Sequence, residues 1–183
     1  MTLSPAGIRL IPAGPGDAAT LLALEETLFP EDPWTAAMIR EELASAYSVY
    51  LLALEGDAAA PPGSGIDEAG AVCGYGGVRI VGEGADIMTI GVVPESRGRG
   101  LGAAILERLL DLAAARGASA CFLEVRESNG PARRLYERAG FVEVGRIRRY
   151  FRRPTEDAIA MRAGLVDRCG TAPSDGSAKS ANM

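Results

Sequence analysis

Histidine is absent from the 183 residues of this chain. That absence removes Ser-His-Asp and Cys-His catalysis, along with the commonest transition-metal ligand, and no metal site is expected. Acid–base chemistry is left to Glu, Asp, Tyr, Lys, Cys or water. Cysteine is scarce: Cys73, Cys121 and Cys169 show no zinc-knuckle or redox spacing, which points to reduced thiols. No apolar run approaches the roughly 18 residues that a membrane span requires. The opening Met1-Thr2-Leu3-Ser4-Pro5 has neither the basic flank nor the apolar stretch of an export signal, so a cytoplasmic protein is expected. A net charge of −5 argues against a general nucleic-acid binder and says little else. What is present, 48% apolar and 23% charged residues, is the balance of a soluble chain with one core.

Residues 1–166 read as one domain and 167–183, polar and small, as a disordered tail. Ile8–Ile11 is a short strand. Leu21, Leu22, Leu24 and Leu28 recur at helical spacing over Asp17–Phe29, and Pro30 and Pro33 end that run. Thr35 is placed to cap a second helix. Tyr47–Leu54, Ala71–Val81 and Asp86–Val93 read as strands, with a long hairpin loop over Gly56–Gly70. An amphipathic helix follows, with Leu101, Ile105, Leu109 and Leu112 on its apolar face and Gly117 at its end. Ala120–Val125 is a strand, Ser128 or Asn129 caps a further helix that Gly140 ends, and Phe141–Ile147 pairs with Asp157–Arg162. The order β-α-α-β-β-β-α-β-α-β-β, with one helical crossover among hairpins, predicts a mixed sheet of α/β (α+β) class.

Gly98-Arg99-Gly100-Leu101-Gly102-Ala103 satisfies the dinucleotide pattern G-x-G-x-x-G/A, and Glu124 stands near where a ribose-binding acid is expected. Two features reject that reading. Pro94-Glu95-Ser96-Arg97 separate the turn from its strand, and repeated βαβ units are missing. The underlying physics survives: a helix N-terminus stripped of side chains, with Arg97 and Arg99 beside it, can cradle a pyrophosphate. A tight turn with solvated arginines would look the same.

Taken with its surroundings, the turn resembles the acetyl-CoA signature R/Q-x-x-G-x-G/A of the GNAT acetyltransferases. Arg97-x-x-Gly100-x-Gly102 follows a strand ending Ile90-Gly91-Val92-Val93-Pro94. Leu123-Glu124-Val125-Arg126, Ser128-Asn129 and Leu135-Tyr136-x-x-x-Gly140-Phe141 continue the likeness in order and spacing, as do Arg148-Arg149-Tyr150 and Glu156-Asp157-Ala158. The combination resembles the bacterial ribosomal-protein-alanine N-acetyltransferases over about Ile8–Leu165. The likeness is sharp only from Ile90 onward, and on the acceptor side it departs at Tyr150-Phe151, in the length of the 56–70 loop and in the short 151–156 segment.

The resemblance implies a sheet of about seven strands with about four helices, splayed where the cofactor's pantetheine arm inserts. It implies acetyl-CoA as co-substrate, held by Ile90, Gly91, Val92, Arg97, Gly98, Arg99, Gly100, Leu101, Gly102 and Asn129. Glu124 becomes the candidate base: between Leu123 and Val125 on a strand it points away from the apolar side, although a salt bridge to Arg126 or Arg79 would account for it equally. Tyr136 becomes the candidate acid, a phenol able to protonate a departing thiolate, although its spacing with Ala132 and Ala139 also suits core packing. Trp34, Arg149 and Tyr150, with Arg148, would border the acceptor. That acceptor is expected to be a protein N-terminus, an alanine of a ribosomal protein. A small-molecule amine, or an acyl-CoA-binding module without turnover, stays open at this point.

Overall fold

The computed structural model describes residues 7–56, 71–166 and 168. The expected loop beyond Gly56 and nearly all of the expected tail lie outside these residues. Seven strands form one sheet: β1 (Ile8–Ala13), β2 (Ser48–Glu55), β3 (Ala71–Val81), β4 (Gly84–Val92), β5 (Ala120–Arg126), β6 (Val142–Arg152) and β7 (Thr155–Gly164). Their order across the sheet is β1-β2-β3-β4-β5-β7-β6. Among the described residues four α-helices accompany them: α1 (Ala18–Leu28), α2 (Ala36–Ala44), α3 (Leu101–Ala115) and α4 (Gly130–Arg138). Every pairing is antiparallel except β4–β5, which α3 connects as a crossover. The mixed α/β architecture expected from the element order is the one found.

Caps and breakers act where the local chemistry places them. The Thr35 hydroxyl accepts from the Met38 N–H at 3.3 Å and opens α2. Asn129 rather than Ser128 caps α4, accepting from the Ala132 N–H at 3.1 Å. Gly117 and Gly140 end α3 and α4 with φ of 94° and 91°, a left-handed turn that favours glycine.

Helix α3 is the centre of the core. It buries Leu101, Ile105, Leu106, Leu109 and Leu110, each worth about 1.5–3 kcal/mol. Leu112, expected on its apolar face, is only partly buried, because α3 sinks into the sheet on the Leu106–Leu110 side instead. Its approach to β3 is close enough to require Gly76: a Cβ there would sit 2.7 Å from Ile105 Cγ2 and 3.1 Å from Leu109 Cδ1. Helices α1 and α2 cover the opposite face of the sheet, packing Leu21, Leu24 and Ile39 on Tyr50, Leu52 and Tyr75.

Two boundaries differ from expectation. The β6–β7 hairpin runs well past Ile147, since pairing resumes at Phe151↔Glu156 after Arg148–Tyr150 slip out of register. An arginine-rich stretch with no alternation hides that continuation. Beyond Val166 the described Arg168 is still tethered, its guanidinium 2.7 Å from Glu107 and 3.1 Å from Asp111 on α3. No helix among the described residues is long and apolar enough to cross a membrane.

Candidate active site

Strands β4 and β5 pair over only three rungs, Gly84↔Ala120, Ala85↔Cys121 and Asp86↔Phe122. On its other side β4 stays paired with β3 as far as Val92↔Gly74. The parting has a local cause. Met88 is an extra residue between the rungs Val78↔Ile87 and Gly77↔Thr89, and such a bulge bends a strand away from its neighbour. The stretch Thr89–Val92 therefore turns an unpaired edge towards a wedge between β4 and β5.

Ile90, Gly91 and Val92 lie on that edge. Gly91 must be glycine for packing as well, because a Cβ would fall 2.7 Å from both Leu28 Cδ1 and Tyr75 Cε1. At the end of β4 the Arg97 Nε–H donates to the Val92 carbonyl at 3.0 Å, which holds the Gly-rich turn against the strand. Gly98 and Gly100 have φ of 75° and 80°, a region costly for any residue with a Cβ. Gly100 is the N-cap of α3, and no side chain caps the helix. The α3 ladder begins with the Ala104 N–H bonded to Gly100 O at 3.0 Å, so the amides just before it point out of the helix end. A Cβ at Gly98 or Gly100 would meet nothing within 4 Å, and one at Gly102 would only graze Leu135. The turn is open, electropositive and stripped of side chains. Leu101 is buried beneath it, and the Arg99 guanidinium pairs with Glu55 at 2.6 Å.

Glu124 lies on β5 opposite Ala160 of β7. Its neighbours Leu123 and Val125 are buried under α3 and α4, so Glu124 projects from the other face, where no helix among the described residues covers β5 and β7. The two salt bridges considered from the sequence do not form: Arg126 pairs with Glu156 at 3.3 Å and Arg79 with Glu42 at 2.7 Å. Lost hydration, and then the charge of Asp86, hold the Glu124 acid above the usual carboxylate range. Tyr136, on α4, occupies the opposite face of the sheet. Its ring meets Phe141 edge to face at 5.8 Å, and burial pushes its phenol up to about 12.

A family model described as the acetyltransferase (GNAT) family matches residues 21–141. The chain belongs to the GNAT acetyltransferases. This GNAT enzyme is 38% identical over 156 residues to the N-alpha-acetyltransferase RimI of Mycobacterium tuberculosis, which covers 82% of this chain and 89% of that protein. Its structure resembles that of the ribosomal-protein-S18-alanine N-acetyltransferase from Escherichia coli, with a TM-score of 0.71 and 25% identity over 86% of this chain and 94% of that one. The fold is shared with Arabidopsis thaliana NAA60, solved in complex with acetyl-CoA, at a TM-score of 0.74 and 21% identity over 86% of this chain and 98% of that one. The protein is an N-acetyltransferase.

In this GNAT enzyme the wedge separates two chemically different sides. Towards α3 and α4 lie the Gly-rich turn, Asn129 and Tyr136. Towards α1 and α2 lie Glu124, Asp86 and Tyr150, whose phenol is raised by burial and then by the Glu124 charge. Trp34 is on this second side, half-buried in the bend between α1 and α2. Arg149 takes a φ of 52° at the β6 irregularity, and its N–H donates to Asp157 Oδ1 at 2.9 Å. Asp86 is the residue that sequence reasoning misses. It stands on the last rung before the strands part, opposite Phe122 on one side and Arg79 on the other. The only local sign is a charge alternating with Ala85 and Ile87, the same signal that marks Glu124.

Proposed function

We propose that this GNAT enzyme transfers the acetyl group of acetyl-CoA to the α-amine of a protein N-terminus, an alanine of a ribosomal protein. The observation that carries the reading is Glu124: an unneutralised carboxylate on the uncovered side of the wedge, with Tyr136 on the other side. Relatives whose names specify N-alpha-acetylation and ribosomal-protein S18 alanine support the choice of acceptor.

The residues at the wedge fit the cofactor. Backbone amides of Gly98–Gly102 at the uncapped α3 N-terminus suit a pyrophosphate, with Arg97 adding charge and Arg99 able to add more on leaving its partner Glu55. Asn129 and the Ile90–Val92 edge flank the path of the arm, and a backbone amide there can donate to a thioester oxygen. Acetyl-CoA supplies an activated acyl group on sulfur. Glu124, directly or through water, takes the proton that the acceptor ammonium must lose before its nitrogen attacks. Lost hydration, and then the charge of Asp86, raise its acidity range and so make it a stronger base than an ordinary carboxylate. As the C–N bond forms and the C–S bond breaks, Tyr136 gives its proton to the leaving sulfur and is restored by the second proton that the acylated nitrogen sheds; burial, which pushes the phenol up to about 12, keeps it protonated until then while making it a weaker acid. Base and acid thus act on opposite faces of the sheet, each where its partner atom enters.

CoA release with acetyl-CoA and peptides of varied N-terminal residue, compared with polyamines and aminoglycosides, tests the reading. Mass spectrometry should place the acetyl group on an alanine α-amine. Turnover confined to small amines would discard the N-terminal acceptor and keep the enzyme class.

A further inference from the structure

Helix α1 buries one acid among its leucines. Glu25 is 3% exposed, beside Leu21 and Leu24. A carboxylate in such a place is costly unless bonded, and this one is bonded twice. One oxygen accepts the hydroxyl of Tyr75, itself 1% exposed on β3. The other accepts the backbone N–H of Trp34 at 3.2 Å, in the bend before α2. The Tyr75 hydroxyl also lies 3.3 Å from Thr89 Oγ1 on β4. Burial raises the Glu25 acid, yet it raises the Tyr75 phenol far more, so the shared proton stays on tyrosine and Glu25 accepts.

The four elements joined here have one thing in common. Thr89 is the first residue beyond the Met88 bulge, where β4 has already left β5. Trp34 belongs to the bend on the same side of the sheet as Glu124. Apolar packing of α1 and α2 on Tyr50 and Leu52 already holds these helices down. What a carboxylate adds is direction: it fixes a backbone amide in the bend relative to a strand edge within hydrogen-bond tolerance. We infer that Glu25 is a positioning residue for the acceptor: through Tyr75 and the Trp34 amide it sets the gap between the α1–α2 bend and the parted end of β4. This rests on the reading that the acceptor amine enters on the Glu124 side.

Trp34 is the one tryptophan of the chain, and its amide is a direct reporter. Glu25→Gln keeps the size and one accepting oxygen, Tyr75→Phe keeps the ring, and circular dichroism checks that both fold. Local release of the bend should speed hydrogen exchange at the Trp34 amide by about tenfold or more in both variants, with the Leu109 amide of α3 unchanged. In steady state the acceptor KM should rise about fivefold or more, with the acetyl-CoA KM within about twofold, as expected when only acceptor binding is lost. Equal acceleration at Trp34 and Leu109, or a joint rise of both KM values, would reduce Glu25 to a core residue and overturn the inference. The exchange measurement needs no acceptor, so it separates a failure of the Glu25 bonds to hold the bend from a failure of the proposed function.

Discussion

The β1–β4 half of the sheet is covered on both faces, by α3 on one and by α1 and α2 on the other. Beyond it, β5 and β7 are covered on one face, and the edge strand β6 is exposed along nearly its whole length. In the first half the helices press close on the sheet, to the point that Gly76 and Gly91 have no room for a methyl group. In the second, the uncovered face carries Glu124 and Arg162 and leaves Phe122 36% and Ile147 40% exposed. The halves touch over three rungs and then part. The comparison teaches where chemistry can be placed: the doubly covered half packs one edge of the wedge tightly, and the less covered one leaves Glu124 open to solvent, as the proposed role of base requires.

The largest effect should come from removing the charge on the open face. Glu124→Gln is expected to lower kcat by about 10²–10⁴ with acetyl-CoA affinity retained, the usual loss when a general base is removed. Tyr136→Phe should fall near the lower end of about 10²–10⁴, because water can deliver a proton to sulfur more easily than it can replace the base. Rates of CoA release, paired with calorimetric titration of the cofactor, check both. Unchanged turnover in Glu124→Gln would remove the proposed base.

Next in size is a change in the closed half. Gly76→Ala forces a methyl against Ile105 and Leu109, and overpacking of this kind costs about 1–3 kcal/mol. Urea denaturation should show a lower midpoint with an unaltered slope. A midpoint equal to that of wild type would mean that α3 sits less tightly on β3 than the close approach requires.

How much of this could be read from residues alone follows the range of the forces involved. The α3 stripe, the β5 alternation that exposes Glu124, the caps at Thr35 and Asn129 and the turn glycines are local, and each is legible. The Met88 bulge is not, because the count of residues on β4 has meaning only against the pairing of β3. The same holds for β6, whose continuation past Ile147 depends on Glu156 opposite Phe151. Glu124 and Tyr136 are both visible as candidates, but their placement on opposite faces of the sheet needs the helix packing. Asp86 and Glu25 escape notice because the groups that give them their roles are distant in sequence: Glu124 for one, Tyr75 for the other.

Asp86 sharpens the comparison at the seam itself. The groups around Glu124 are Asp86 from β4 and Tyr150 from β6, with Arg162 of β7 beside Phe122 at 5.9 Å and Arg79 facing Asp86 from β3. The negative charge of Asp86 favours the protonated form of Glu124 and so raises its acidity range. A base works only when deprotonated, so activity should climb as pH rises through the Glu124 transition. In Asp86→Asn that rising limb should move to lower pH, read from kcat against pH. A limb that stays in place would mean that lost hydration alone sets the acidity of Glu124.

The smallest effect should come from the outer edge. Val144, on the edge strand β6, is 55% exposed and is the extra residue between the rungs Glu143↔Met161 and Gly145↔Ala160. Val144→Lys leaves no buried contact behind and adds a charge to an edge strand, where charge discourages pairing with other chains. Its stability change should stay within about ±0.5 kcal/mol, as for surface positions in general. Set beside Gly76→Ala, one methyl against a whole lysine side chain, this measures how differently the two halves of one sheet respond to change. A loss at Val144 as large as that at Gly76 would mean the β6 edge is covered in solution, and the contrast between closed and open halves would fail.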